Sequence, residues 1–130
     1  MSTHCGIAIK SNNEGYRYIY VHNDGYPSYM WPMLTKHYNS EELANKLIML
    51  GDASFIDELL EPTGDYHKFG MPEPRVSMFY HRDRGEEWEC ARPSYGPKDR
   101  FLSAYYHAYI WEDGKWNYYE GRKLKEVVEV

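Results

Sequence analysis

The strongest constraint lies near the end of the chain, where Tyr105 to Trp111 and Lys115 to Tyr119 flank Asp113-Gly114. Asp-Gly favours the two positive-φ positions of a two-residue type I′ turn, and its aromatic flanks suit strands, so the segment predicts a β-hairpin. Alternate side chains of a strand face opposite ways. Tyr105, His107, Tyr109 and Trp111 therefore share one face and Tyr106, Ala108 and Ile110 the other, with Trp116 and Tyr118 continuing the pattern across the turn. Two apolar faces need two covers. A helix layer supplies one, and a second copy of the chain is expected on the other, giving a homodimer unless the tail from Arg122 to Val130 folds over that face.

The rest of the chain supplies the sheet and the helix layer. Cys5 to Lys10 and Tyr16 to His22 read as two strands around the polar turn Ser11 to Gly15, and Asn23-Asp24-Gly25 with Tyr26-Pro27 redirects the chain. Ser28 is a candidate cap for a helix through Tyr38, with Pro32 tolerated in the first turn. Asn39 with Glu42 three residues on resembles a capping box, and Leu43, Ala44, Leu47, Ile48 and Leu50 make one apolar face of a second helix that Gly51 ends. Ser54 to Leu60 predicts a short third helix stopped by Pro62. Glu61 to Pro74 holds three prolines and two glycines, a loop long enough to be functional or mobile. Val76 to His81 reads as a strand, Ala91 to Pro97 as a loop, and the tail fits either strand or helix. The expectation is one α+β domain over residues 1–130, a mostly antiparallel sheet with the helices of residues 28–60 on one face.

Size and charge narrow the function. At 130 residues and 15.5 kDa the chain is one domain's length and buries a core without staples. It has no apolar run of membrane-spanning length, and its opening residues lack a basic and then apolar leader, so no membrane partner and a cytoplasmic location are expected. Cys5 and Cys90 form no C-x-x-C pair and read as structural thiols. Fifteen basic against twenty acidic residues give a net charge of -5, which opposes direct nucleic-acid binding. Fourteen tyrosines, four tryptophans and four phenylalanines suit interfaces, stacking pockets and half-exposed sheet surfaces.

Two segments could carry chemistry. Ile19 to Gly25 and Met78 to Gly85 each run from an apolar strand into His-x-Asp and a glycine turn. If both are extended and adjacent, His22, Asp24, His81 and Asp83 converge as ligands for a divalent metal such as zinc, manganese or iron, the basis of a small phosphodiester hydrolase. Arg82 and Arg84 bring positive charge where that metal would sit. The other reading needs no cofactor: Tyr26, His81, Arg82, Arg84 and Glu86 form a polar cluster that binds an anionic, nucleotide-like ligand, with arginine forks on the anion and tyrosine faces on a base. No G-x-S-x-G elbow, phosphate loop, H-E-x-x-H or G-x-G-x-x-G occurs.

The segments Tyr18 to Pro27, with its His22-Asn23-Asp24-Gly25-Tyr26-Pro27 core, His37-Tyr38-Asn39, Leu50-Gly51-Asp52, Tyr80 to Trp88 and Trp111 to Trp116 resemble a family of small proteins encoded by bacteriophages and prophages. The resemblance spans nearly the whole chain, and the family carries no assigned activity. It implies an accessory protein in a bacterial cytoplasm. By analogy, such a protein inhibits a host enzyme or defence system, by binding a host protein or by sequestering a nucleotide-like ligand.

Overall fold

The computed structural model describes residues 2–11 and 15–127. Met1, Asn12, Asn13, Glu14, Val128, Glu129 and Val130 lie outside it, and with them the middle of the expected Ser11 to Gly15 turn and the end of the tail. In chain order come β1 (Cys5–Lys10), β2 (Tyr16–Val21), α1 (Pro27–His37), α2 (Glu41–Met49), β3 (Ala53–Phe55), β4 (Met78–Phe79), α3 (Tyr80–Arg84), α4 (Trp88–Ala91), β5 (Ser94–Gly96), α5 (Lys98–Ala104), β6 (His107–Glu112), β7 (Lys115–Glu120) and β8 (Lys123–Lys125).

The strands form one mixed sheet in the order β4-β3-β2-β1-β6-β7-β8, with β5 paired to β2. The pairs β1–β6 and β2–β3 are parallel and the rest antiparallel. Strands β1 and β6 sit in the middle with both faces covered, so each is a nearly continuous buried run rather than an alternating one. Asp113 and Gly114 have φ of 58° and 74°, both positive as a type I′ turn requires, and they join β6 and β7 in the expected register.

Helices α1 and α2 cover the face that carries Cys5, Ile7, Ile9, Ile19, Val21, Tyr109, Trp111, Trp116 and Tyr118. Large aromatics can be buried there because their polar tips find partners. The Tyr109 hydroxyl donates to the Gly25 carbonyl at 2.7 Å, and Trp116 Nε1 donates to the Tyr38 carbonyl at 3.0 Å. Burial drives the Tyr109 hydroxyl pKa far upward.

The opposite face is covered by α5. Phe101 and Leu102 pack on Ala8, Tyr16, Tyr18, Ala108 and Ile110, with Tyr105 and Tyr119 at the margin. Neither a second copy of the chain nor the tail is needed as a cover, so the physical reason for expecting a homodimer disappears. The tail instead adds β8 to the sheet edge, and Val127 packs against the first core. Two lysines flank Leu124 on that edge strand, a composition that discourages further strand pairing.

Local readings shift in four places. Helix α1 starts at Pro27 with Tyr26 as its cap, which leaves Ser28 inside the first turn and Pro32 beyond it. The cap of α2 is Ser40 rather than Asn39, its hydroxyl accepting from the Leu43 N–H at 3.1 Å; Leu43 consequently faces outward. Residues 54–60 are not a helix: Ala53–Phe55 pairs with both Val21 and β4, and sheet hydrogen bonds win over a weak local helix pattern. The strand expected at residues 76–81 is only Met78–Phe79, because the chain turns into α3 at Tyr80.

Candidate functional site

The two His-x-Asp segments do not make one site. Strands β2 and β4 belong to the same sheet, but β3 lies between them. Asp24 occupies a positive-φ turn position (58°), and His22 Nδ1 is hydrogen-bonded at 2.5 Å to the Tyr20 hydroxyl, which also contacts His4 Nδ1 at 2.9 Å. His81 and Asp83 lie on the helical turn α3, where residues two apart point away from each other. His81 Nδ1 meets the Glu86 carbonyl at 2.8 Å, and its ring packs edge-on against Trp88. Among the described residues no three His, Cys, Asp or Glu side chains gather as metal ligands.

Asp83 is the hub of a structural knot. Its side chain is 3% exposed and accepts from Arg82 Nε at 2.8 Å, from Arg82 Nη2 at 2.9 Å and from the Phe79 N–H at 2.8 Å. His67, 1% exposed, brings Nε2 within 3.3 Å of the same carboxylate. Burial pushes the Asp83 pKa up, but the Arg82 bond, the Phe79 N–H and the Arg82 charge outweigh it and hold the carboxyl below its usual value. Arg82 also donates to the carbonyls of Leu60 and Ser77. Its guanidinium, expected to bind a ligand, is thus engaged by Asp83 and the Leu60 and Ser77 carbonyls within the fold. Loop 61–74 is fastened to this knot: the Glu73 N–H donates to His67 Nδ1, the Thr63 and Gly64 N–H groups donate to the Glu73 carboxylate, and the Phe69 N–H donates to the Asp83 carbonyl.

The open polar site lies next door, where the edge of β2 changes partner. Its first half, Tyr16 to Tyr18, pairs with β5, and its far end, Val21, pairs with β3. Between them the Tyr20 N–H donates at 2.9 Å to a side chain, Asp52 Oδ1, in place of a strand carbonyl. The backbone of Asp52 ties this point to two neighbours: its N–H donates to the Ala91 carbonyl at 2.7 Å and its carbonyl accepts from the Tyr80 N–H at 3.1 Å. Gly51 permits the approach, with φ of 90° and the Ala91 carbonyl oxygen only 2.3 Å from where a Cβ would stand.

Asp52 is the junction of a two-lobed groove. The smaller lobe, about 140 Å³, is walled by Tyr80, Arg84, Glu86 and Cys90. The larger, about 620 Å³, is walled by Tyr18, Glu89, Arg92, Ser94, Tyr95 and Arg100, with Cys90 shared between the two. Burial raises the Asp52 carboxyl to about 6 against the pull of its bond from Tyr20. The Tyr20 hydroxyl pKa is raised by burial and then by the charges of Tyr80 and Asp52, and that of Tyr105 by burial and then by Asp52. Acid and phenols therefore share one neighbourhood. Tyr105 lies stacked beside Tyr20, with ring centroids 6.3 Å apart, in a space that Gly6 vacates. Arg84 lies over the rings of Phe69 and Tyr80 and pairs with Glu86 at 3.3 Å; no acidic partner of Arg100 occurs among the described residues.

Of the residues expected to bind a ligand, Arg84 and Glu86 line the groove, whereas Tyr26, at the cap of α1, and His81 do not. Asp52, Tyr80, Cys90, Arg92 and Arg100 line it without having been expected as ligand-binding residues, Cys90 having read as a structural thiol. Their only sequence signal was an aspartate directly after the glycine that ends a helix. Set against family models, curated proteins and solved structures, the chain matches none of them.

Proposed function

We propose that this chain is a small non-enzymatic binding protein that captures an anionic, nucleotide-like molecule in the groove at Asp52. One observation carries the reading: the edge of β2 that is split between two strands is closed by a carboxylate whose other oxygen accepts no bond among the described residues, with arginines at both ends of the groove. Ligands of open sheets gather where strand neighbours part, because backbone polar groups and loops converge there. Guanidinium groups suit phosphate, and tyrosine rings suit a planar base. In the bacteriophage setting that the resemblance implies, such capture would withdraw a nucleotide signal from a host system.

The test is titration of the ¹⁵N-labelled protein with nucleoside monophosphates. The expected result is saturable shifts at Asp52, Tyr80 and Ser94, weakened by Arg100→Ala. Shifts absent at millimolar ligand, or scattered away from the groove, would overturn the reading. Capture of a host protein has its own support in loop 61–74, where Tyr66, Phe69 and Met71 are exposed on a backbone held by the Asp83 knot. Aromatic groups presented on a fixed backbone bind at low entropic cost.

A further inference from the structure

We infer that the groove selects guanine among the nucleobases, with Asp52 reading the base edge and Arg92 and Arg100 holding the phosphate. This rests on the groove being the capture site. An ionised carboxylate only accepts hydrogen bonds. Asp52 Oδ1 already takes the Tyr20 N–H, and Oδ2 accepts nothing among the described residues. The carboxylate therefore has unused acceptor capacity along one edge and no donor to offer.

The four bases answer that edge differently. Guanine places two donors side by side, N1–H and the exocyclic amine, and both can meet one carboxylate. Adenine and cytosine each set a single amine beside a bare ring nitrogen, whose lone pair faces the carboxylate unfavourably. Uracil and thymine set one N–H between two carbonyl oxygens, both repelled. A polar site matched to one donor pattern rejects the others because its own group is left unpaired.

The surroundings fit a purine. Tyr80 and the Arg84 guanidinium are flat groups walling the smaller lobe, and Asp52 lines both lobes, which leaves the larger one to receive the sugar and phosphate of a base held at Asp52. Arg100 stands there without an acidic partner among the described residues, and Arg92 meets Glu89 only at 3.6 Å between exposed side chains. The Arg100 guanidinium is available to an anion, and that of Arg92 becomes so by giving up its solvent-exposed pairing with Glu89, which lines the same lobe.

Calorimetric titration with GMP, AMP, CMP and UMP on the full chain tests this, alongside Asp52→Asn and the Arg92→Ala/Arg100→Ala double variant. GMP is expected to bind at least roughly tenfold more tightly than the other three, as a good two-donor pairing confers. Asp52→Asn should erase that preference, and the double arginine variant should weaken all four alike. Equal affinities unchanged by Asp52→Asn would overturn guanine selection while leaving groove capture standing. Binding of none of the four would overturn both.

Discussion

Asp83 and Asp52 are the same residue type, each beside a short strand at the β3–β4 end of the sheet, yet they are held in opposite ways. Asp83 is almost sealed, accepts from Arg82 and a backbone N–H, has His67 at hand, and is held below its ordinary pKa. Asp52 is half-buried, accepts one N–H, and is raised to about 6. A carboxylate with every lone pair used is part of the scaffold. One left short of protein partners, half-buried and with its free oxygen open to solvent, carries a desolvation cost and keeps acceptor capacity that a ligand can use. The pair thus separates structural chemistry from available chemistry across one peptide step, since the Phe79 N–H donates to the Asp83 carboxylate and the next N–H, that of Tyr80, to the Asp52 carbonyl.

The largest effect is expected from breaking the knot. Arg82→Ala leaves the Asp83 carboxylate buried without its main counter-charge, a loss of about 3–5 kcal/mol. Urea denaturation should record it as a lower midpoint with an unchanged slope. A loss below about 1 kcal/mol would mean that the knot is not what fastens loop 61–74.

Next in size is Gly6→Ala, beneath the ring stacked on Tyr20. The added Cβ would stand 2.3 Å from Tyr105 Cδ2 and 2.5 Å from Phe101 Cε1, so two packed rings must move. Overpacking of this kind costs roughly 1–3 kcal/mol. Thermal melting measures the cost, and ¹⁵N spectra should place the disturbance at Tyr20 and Asp52 while sparing Asp83.

The smallest effect has the opposite sign. Asp52 binds its proton more tightly folded, at about 6, than unfolded, so stability falls as pH rises from about 4 to 6 and the penalty persists above. Asp52→Asn keeps an oxygen for the Tyr20 N–H and removes the charge. It should stabilise the protein at pH 7 by on the order of 1 kcal/mol after allowance for solvent screening, and flatten that pH slope. Paired with lost binding, this gain marks a residue kept for function at stability's expense. Destabilisation at pH 7 would instead class Asp52 with Asp83.

Much of the scaffold could be read from local pattern. The Asp113-Gly114 hairpin, the β1–β2 pair, and two helices ending near Tyr38 and Gly51 follow from turn chemistry, strand alternation and helical spacing, each confined to a few neighbouring residues. The resemblance of His22-Asn23-Asp24 to His81-Arg82-Asp83 misled, because the second copy sits on a helical turn, where two-residue spacing no longer places side chains together. That Arg82 brings positive charge beside Asp83 was legible from their adjacency. The depth at which they pair was not, since His67 arrives from a loop more than a dozen residues away.

What the amino-acid order determined by itself was therefore the set of local elements and an aromatic sheet needing cover on two faces. Tertiary structure alone decided that α5 is the second cover, that β1 and β6 run parallel, and that β3 and β5 share one edge of β2. The groove exists only through that last choice. Strand pairing is a contest among distant segments for the same backbone N–H and C=O groups, and no local pattern says which segment wins or which side chain, here Asp52, fills the position left between the winners.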